Sequence, residues 1–415
     1  MEYITVNEAA EKWGVSPRRI QVLCSQNRIE GVQRFGNRLM IPSDAAYPAN
    51  PKLKTDNHME PIPFDFDASI PKYSPFLYMT DLYSQPGTAD ESAMALSYDE
   101  EAYLLFQAEI AYSRGQIDRA YEIAASFLTR RSSFYAMLSA GKMLAFCAIW
   151  RGDLQLWQTA KQYIAHTPAV TDNDRDILFM TISSVDSMLY DVTSFPEWFK
   201  IGCFEPLPKD SLPAAKVFYG KYLYATAYAV ATRQVELHGI KGLPFMNVLP
   251  LTLEPMISQS VADHVIMAEA YLRMICATVY HNIGNEAHAI RHLDKAIALM
   301  LPDKMYGFLA EYCRALGPLL QQRVEMVDPE AWKVIQRLYK VYNEGWSKLS
   351  GSVRGKNIIT TLSPKEREVA KLAAFGMQNS EIASKMHMSL AGVKQAIRIV
   401  SEKTGVSRDE FALYL

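Results

Sequence analysis

The chain is poor in the features that several protein classes require. Its 415 residues include only five cysteines, at 24, 147, 203, 276 and 313, scattered and without a CxxC pair. That spacing argues against a disulfide framework or a zinc knuckle, and the cysteines read as mostly buried thiols. Long apolar runs are missing: even Ala214 to Thr232 is broken by Lys216 and Lys221, short of the roughly 18 uninterrupted apolar residues of a membrane span. The N-terminus lacks the basic and apolar blocks of a secretory signal. These absences predict a cytoplasmic protein with no membrane partner. No phosphate-cradling glycine loop, serine elbow or other catalytic constellation occurs, so neither enzyme activity nor a cofactor is expected.

What is present is ordinary globular composition, 49% hydrophobic and 21% charged, in a chain long enough for two or three domains. The net charge of −2 conceals an asymmetry. Residues 1 to 55 carry 8 basic against 5 acidic groups and residues 360 to 415 carry 8 against 6, which leaves 27 against 34 in between. Affinity for phosphate is thus expected at the two ends, and the acidic centre would repel nucleic acid.

At the N-terminus, Thr5 can cap a helix through Glu8, Ala9, Ala10 and Trp13, with an acidic first turn. After Gly14-Val15, Ser16 caps and Pro17 opens a second helix with Ile20, Leu23 and Cys24 inward and Arg18, Arg19 and Gln21 outward. Val32 to Phe35, a Gly36-Asn37 turn and Arg38 to Pro42 form a basic β-hairpin. Two helices joined to a basic hairpin are the parts of a winged helix-turn-helix. On Thr5, Val6, Glu8, Ala9, Ala10, Trp13, Gly14, Val15, Ser16, Arg19, Gly31, Arg34, Gly36, Arg38, Ile41 and Pro42 this segment resembles MerR and excisionase-like DNA-binding modules. The resemblance implies that Ser16, Arg18, Arg19 and Gln21 approach a groove, and that Arg34, Asn37 and Arg38 reach phosphate or the minor groove.

Residues 42 to 86 hold 8 of the 21 prolines, which excludes regular helix and predicts a linker or strap. Phe64, Phe66, Phe76, Leu77 and Tyr78 are apolar enough to dock on the adjoining helical domain. From about 99 to 350 helical periodicity dominates and strand signals are nearly absent. A weak repeat aligns on Gly115, Gly152 and Gly284, each between two helices, and the third copy resembles a tetratricopeptide (TPR) pair on Ala277, Tyr280, Ala289, Leu293, Ala296 and Pro302. Prolines break the register between Gly152 and Gly284. A degenerate TPR-like solenoid offers a concave surface for a peptide, protein or small molecule. Trp150, Trp157, Tyr219, Tyr222, Tyr224 and Tyr228 could line it, although at helical spacing they favour the core. His288 and His292 share a helix face with His281 nearby, but no carboxylate stands at a metallopeptidase offset, so solvated or core histidines and no metal are expected.

The last solenoid helix is predicted from Pro329 to Trp346, with a flexible hinge after it at Ser347 to Ser352. Ser363-Pro364-Lys365-Glu366 then opens a capped helix with Val369, Ala370, Leu372 and Ala373 on its apolar side. A second helix starts near Asn379, and a third runs from Ser389 to Thr404 with Val393, Ile397 and Val400 inward. Arg408 to Leu415 can form a short fourth. In order and spacing, Leu362, Ser363, Glu366, Arg367, Glu368, Val369, Leu372, Gly376, Asn379, Glu381, Ile382, Ala383, Ser389, Val393, Lys394, Ile397, Lys403, Gly405 and Val406 resemble the LuxR-type C-terminal helix-turn-helix. The resemblance implies a third helix in the major groove, with Ser389, Lys394, Gln395, Arg398 and Lys403 toward DNA. Leu390, Ala391, Gly392, Ala396 and Ile399 stand where the family commonly has polar residues, so the N-terminal head is expected to supply most of the affinity. The resemblance also implies a homodimer, for which Phe411, Leu413 and Leu415 would supply an apolar edge.

The expected organisation is mainly α: a winged helix-turn-helix at 1–45, a proline-rich linker at 46–90, a TPR-like helical domain at 91–346, a linker at 347–360 and a LuxR-type four-helix module at 361–415. The expected function is a bacterial-type regulator that binds double-stranded DNA, its middle sensing an unknown effector. The alternative is a non-enzymatic scaffold whose end modules mediate assembly.

Overall fold

The computed structural model describes residues 3–13, 17–25, 29, 31–35, 38–45, 83–207, 211–231, 246–354, 362–404 and 406–413. The chain divides into two compact units, residues 1–63 and 64–415. In the first, β1 (Tyr3–Thr5) leads into α1 (Val6–Lys12) and α2 (Pro17–Ser25), and then β2 (Gln33–Phe35) and β3 (Arg38–Pro42). Thr5 closes the start of α1 by a capping box: its hydroxyl accepts from the Glu8 amide at 3.3 Å and the Glu8 carboxylate accepts from the Thr5 amide at 2.7 Å. The hairpin pairs Phe35 with Arg38, as its turn residues imply. β1 has no counterpart in the sequence pattern; it pairs Tyr3 with Pro42, making a three-stranded antiparallel sheet in the order β1-β3-β2. Ala9, Ala10, Ile20, Leu23 and Ile41 form the core.

Most of the proline-rich stretch, including Phe64, Phe66, Phe76, Leu77 and Tyr78, lies outside the described residues. Its last part is firmly packed. Tyr83 is fully buried and donates to Asp303 Oδ2 at 2.5 Å, while the amides of Gly87 and Ala89 donate to the same carboxylate at 2.6 and 2.9 Å.

The second unit continues with α3 (Ala89–Ala95), α4 (Glu100–Arg114), α5 (Ile117–Ser126), α6 (Phe134–Arg151), α7 (Leu154–Ala165), α8 (Asp172–Ser187), α9 (Glu197–Lys200) and α10 (Leu212–Ala231). α11 (Pro250–Ala262), α12 (Ile266–Asn282), α13 (Glu286–Met300), α14 (Tyr306–Val327) and α15 (Pro329–Arg354) complete a helical body. Gly115, Gly152 and Gly284 each take a left-handed conformation, with φ of 83°, 59° and 82°, and reverse the chain between α4 and α5, α6 and α7, and α12 and α13. Trp150 and Trp157 are core residues, as their spacing suggests. α14 is broken at Gly317 (φ 47°, ψ −124°), next to Pro318, which has no N–H.

The serine- and glycine-rich stretch 347–352 is not a hinge. It belongs to α15, which runs to Arg354, with Leu349 and Ser350 fully buried. A Cβ at Gly345 would lie 2.1 Å from the Trp150 carbonyl, so α15 crosses α6 at backbone contact and needs small residues there. Composition alone mistakes that requirement for flexibility.

The C-terminal head comprises α16 (Pro364–Ala374), α17 (Asn379–Lys385), α18 (Leu390–Thr404) and a 3₁₀ turn at Arg408–Leu413. Phe411 is only 1% exposed and packs with Val369, Leu372, Ile382, Val393 and Val400. It therefore offers no apolar edge, contrary to its expected role in pairing; the side chains of Leu413 and Leu415 lie outside the described residues. No helix among the described residues is long and apolar enough to cross a membrane.

Candidate nucleic-acid interface

The head is built from local signals. Ser363 and Glu366 form a capping box at 3.2 and 2.7 Å, and the Glu366 carboxylate also pairs with Lys403 at 2.7 Å, tying the start of α16 to the end of α18. The turn between α17 and α18 is made by His387, at φ 49°. Ser389 Oγ accepts from the Gly392 amide at 3.0 Å and starts α18. Val393, Ala396 and Val400 face the core, leaving Lys394, Gln395 and Arg398 exposed with Ser389 at the helix start. Ala396 is thus a core residue, and its lack of polarity takes nothing from the surface. Leu390 and Ala391 are exposed and apolar. Lys403 is half-buried through its pairing with Glu366, and so differs from the other four candidates on this helix.

Residues 360–413 match the family model of bacterial regulatory proteins of the luxR family (GerE). The C-terminal head is a LuxR-type helix-turn-helix domain, the DNA-binding part of a transcription regulator. This match favours DNA binding over a scaffold role. No curated protein and no solved structure matches the chain.

In the N-terminal unit, Gln21 on α2 and Arg34 on β2 are exposed. Arg18 and Arg19 fall on α2 and Arg38 on β3, with side chains outside the described residues. Ser16 and Asn37 lie wholly outside them.

Sequence reasoning misses how the LuxR-type head is anchored. α16 turns a charged face toward the helical body, where Arg367, Glu368 and Lys371 are 5%, 6% and 6% exposed. Glu368 pairs with Lys371 at 2.7 Å and faces His281 Nε2 at 3.5 Å, while His281 Nδ1 meets Glu286 at 2.9 Å. Two lysines hold main-chain carbonyls of the body, Lys371 that of Ala315 at 3.1 Å and Lys385 that of His281 at 3.0 Å. Phe375 packs edge-on against Tyr228, with ring centroids 5.6 Å apart.

This packing shifts the titrations. Burial would raise the Glu368 carboxyl, but Lys371 and His281 outweigh it and hold the group down at about 2. Burial would lower His281, but the Glu286 and Glu368 carboxylates raise it above 6.5. Burial, with Arg314 beside it, brings Arg367 down to about 10, and its Nε and Nη2 have no hydrogen-bond partner among the described residues. The one signal in the sequence is the pairing of Glu368 with Lys371 three residues on, beside Arg367, on a helix short enough to need only one apolar face.

Behind the anchor is a cavity of about 90 Å³ lined by Lys221, Tyr224, Glu311, Arg314, Tyr342 and Trp346, among others. The Lys221 ammonium lies 3.2 Å from the Met188 sulfur and 4.9 Å from the Tyr271 ring centre. Burial brings it down to about 8 and pushes the Glu311 carboxyl up. Of the aromatics expected on a binding surface, Tyr224 lines this cavity and Tyr228 meets the head.

Proposed function

We propose that the chain is a cytoplasmic, bacterial-type transcription regulator whose LuxR-type head reads double-stranded DNA through α18 and whose helical body controls that head. The observation that carries this reading is the luxR match over a helix that keeps Lys394, Gln395 and Arg398 in water while α16 is held by the body. The N-terminal unit, a helix pair with a three-stranded sheet, supplies a second, winged-helix DNA contact of the MerR/excisionase-like type. Two copies bind, as half-site reading by helix-turn-helix proteins requires.

The TPR-like body senses a small effector in the cavity behind the anchor. Arg314, on the cavity wall, adjoins Ala315, whose carbonyl holds Lys371. An occupant that favours one arrangement of α14 over another changes DNA affinity by its differential binding, typically about 1 to 3 kcal/mol.

The test is selection of bound sequences from a random DNA pool, then affinity measurement across a salt series. The full chain should select a motif, and Lys394→Ala/Arg398→Ala and Arg18→Ala/Arg19→Ala should each weaken binding and flatten the salt slope by about 1 for each phosphate left unneutralised. Affinities unchanged in both double mutants would falsify the assignment of these helices to DNA. Light scattering at half and twice the working concentration checks the dimer.

A further inference from the structure

Apart from the DNA head and the cavity, the described residues bring together one group of metal-ligating side chains. Glu254 on α11, Cys276 on α12 and His292 on α13 present donor atoms that all lie within 4.8 Å of one another. His292 Nε2 stands 3.0 Å from Glu254 Oε1 and 3.9 Å from Cys276 Sγ. A tetrahedral zinc with bonds of about 2.0 to 2.3 Å needs nitrogen–oxygen and nitrogen–sulfur edges of roughly 3.4 to 3.6 Å. Shifts of a few tenths of an ångström bring these two edges to those values, and the sulfur–oxygen edge, within 4.8 Å, closes as the ion draws both atoms in.

We propose that Glu254, Cys276 and His292 bind one zinc-type divalent cation, with a fourth position open to water. One thiolate, one imidazole and one carboxylate form a donor set suited to such an ion. The thiolate and carboxylate together cancel its double charge.

Without a cation the same atoms form a hydrogen-bond network, which an ion would displace in part. A single oxygen, Glu254 Oε1, faces three donors at once: His292 at 3.0 Å, Tyr280 at 3.1 Å and Arg291 at 3.4 Å. Cys276 Sγ meets His292 only at 3.9 Å, a long approach for so buried a thiol. His292 is 2% exposed and offers its Nε2 to the cation. Cys276 is fully buried and presents a thiol. On binding, the S–H bond breaks, the proton leaves to solvent and the sulfur pair forms the metal bond. The Glu254 side chain is 36% exposed, which leaves a route in from water.

The site ties α11 to α12 and α13. Those two helices lead directly to His281 and Glu286, where the LuxR-type head is held. Metal binding would therefore alter DNA binding, and this consequence alone rests on the DNA-binding reading.

The experiment is titration of the full chain, stripped with a chelator and dialysed, with Co²⁺ alone. One equivalent should give a near-ultraviolet thiolate-to-cobalt charge-transfer band and the intense visible bands of tetrahedral cobalt, both removed by one equivalent of Zn²⁺. Cys276→Ser should lose the charge-transfer band, and Cys313→Ser should keep it. Glu254→Gln, at a partly exposed position and so safe for folding, should keep that band but bind Co²⁺ at least tenfold more weakly. No band at one equivalent, or a band of full strength in Cys276→Ser, overturns the site. DNA affinity is then compared with and without Zn²⁺: a change supports the regulatory consequence, and equal affinities overturn it while leaving the cobalt result standing. A chain that binds no DNA in either state counts against the DNA reading, not against the site.

Discussion

Two helices of the LuxR-type head use charge in opposite ways. α18 keeps Lys394, Gln395 and Arg398 in water, whereas α16 buries Arg367, Glu368 and Lys371 against the helical body. Exposed charges cost little, and even Arg398, which meets Gln395 at 3.2 Å and Glu402 at 3.5 Å, has solvated partners that are readily exchanged. Buried ones carry a desolvation penalty and persist only where partners recover it. The contrast separates the two helices by what surrounds their charges: those of α18 stand in solvent, and those of α16 face the helical body. Incomplete partnering of Arg367, beside Arg314, further implies that the anchored state is less stable than its array of ion pairs suggests.

The largest test of this contrast is Glu368→Ala. It leaves Lys371 and His281 without their shared carboxylate and should destabilise the docked head by about 3 to 5 kcal/mol, the usual cost of an orphaned buried charge. Urea unfolding of the full chain, monitored by amide exchange in α16, measures it, and a loss below about 1 kcal/mol would mean that the head is held by Phe375 and the two lysine–carbonyl bonds. Lys394→Ala/Arg398→Ala should act in the opposite sense, costing about 1 to 3 kcal/mol of DNA affinity and leaving unfolding unchanged. If this pair destabilises the fold instead, α18 is a structural helix and the contrast disappears. A smaller effect is expected for Ser363→Ala, which removes one half of a capping box and should cost about 1 kcal/mol; equal melting temperatures for variant and parent would count against it.

The smallest effect is on pH. His281 is held above its ordinary 6.5, so its contribution to docking is complete below that value and is lost as pH rises through the raised one. Glu368 is held at about 2, so its contribution is complete above its ordinary 4.5 and survives until strongly acid conditions. Docking should therefore be firmest between pH 4.5 and 6.5 and loosen on the alkaline side. Glu286, Glu368 and Lys371 are the charged groups that act on His281, and His281→Gln should flatten the profile. Amide exchange in α16, measured within that window and above it, decides.

Much of the fold is legible in the sequence because its signals are local. The capping boxes at Thr5 and Ser363, the pairing of Phe35 with Arg38 and the three left-handed glycines each need only neighbours within a few residues. The head is legible for the same reason, its helices being set by adjacent caps and one apolar stripe. What escapes depends on distant partners. Lys371 meets Ala315, 56 residues away, and Lys385 meets His281, 104 residues away. No spacing rule marks either lysine as an anchor. Gly345 and Ser350 pose the opposite problem: small residues that permit close helix crossing have the composition of a linker, and only burial distinguishes the two.

The break in α14 at Gly317-Pro318 has a consequence for how this protein can change over generations. Pro318, at the break, brings no N–H to the turn before it, and one carbonyl of that turn, that of Ala315, receives Lys371 of the head. A main-chain acceptor cannot be deleted by any substitution at its own position. The body can therefore vary at residue 315 without surrendering its hold on the head, and the grip is inherited through the bend. On the side of the body, it is a change that straightens the helix, at Gly317 or Pro318, that would remove it, so these two residues are where a lineage would lose that hold without altering Lys371.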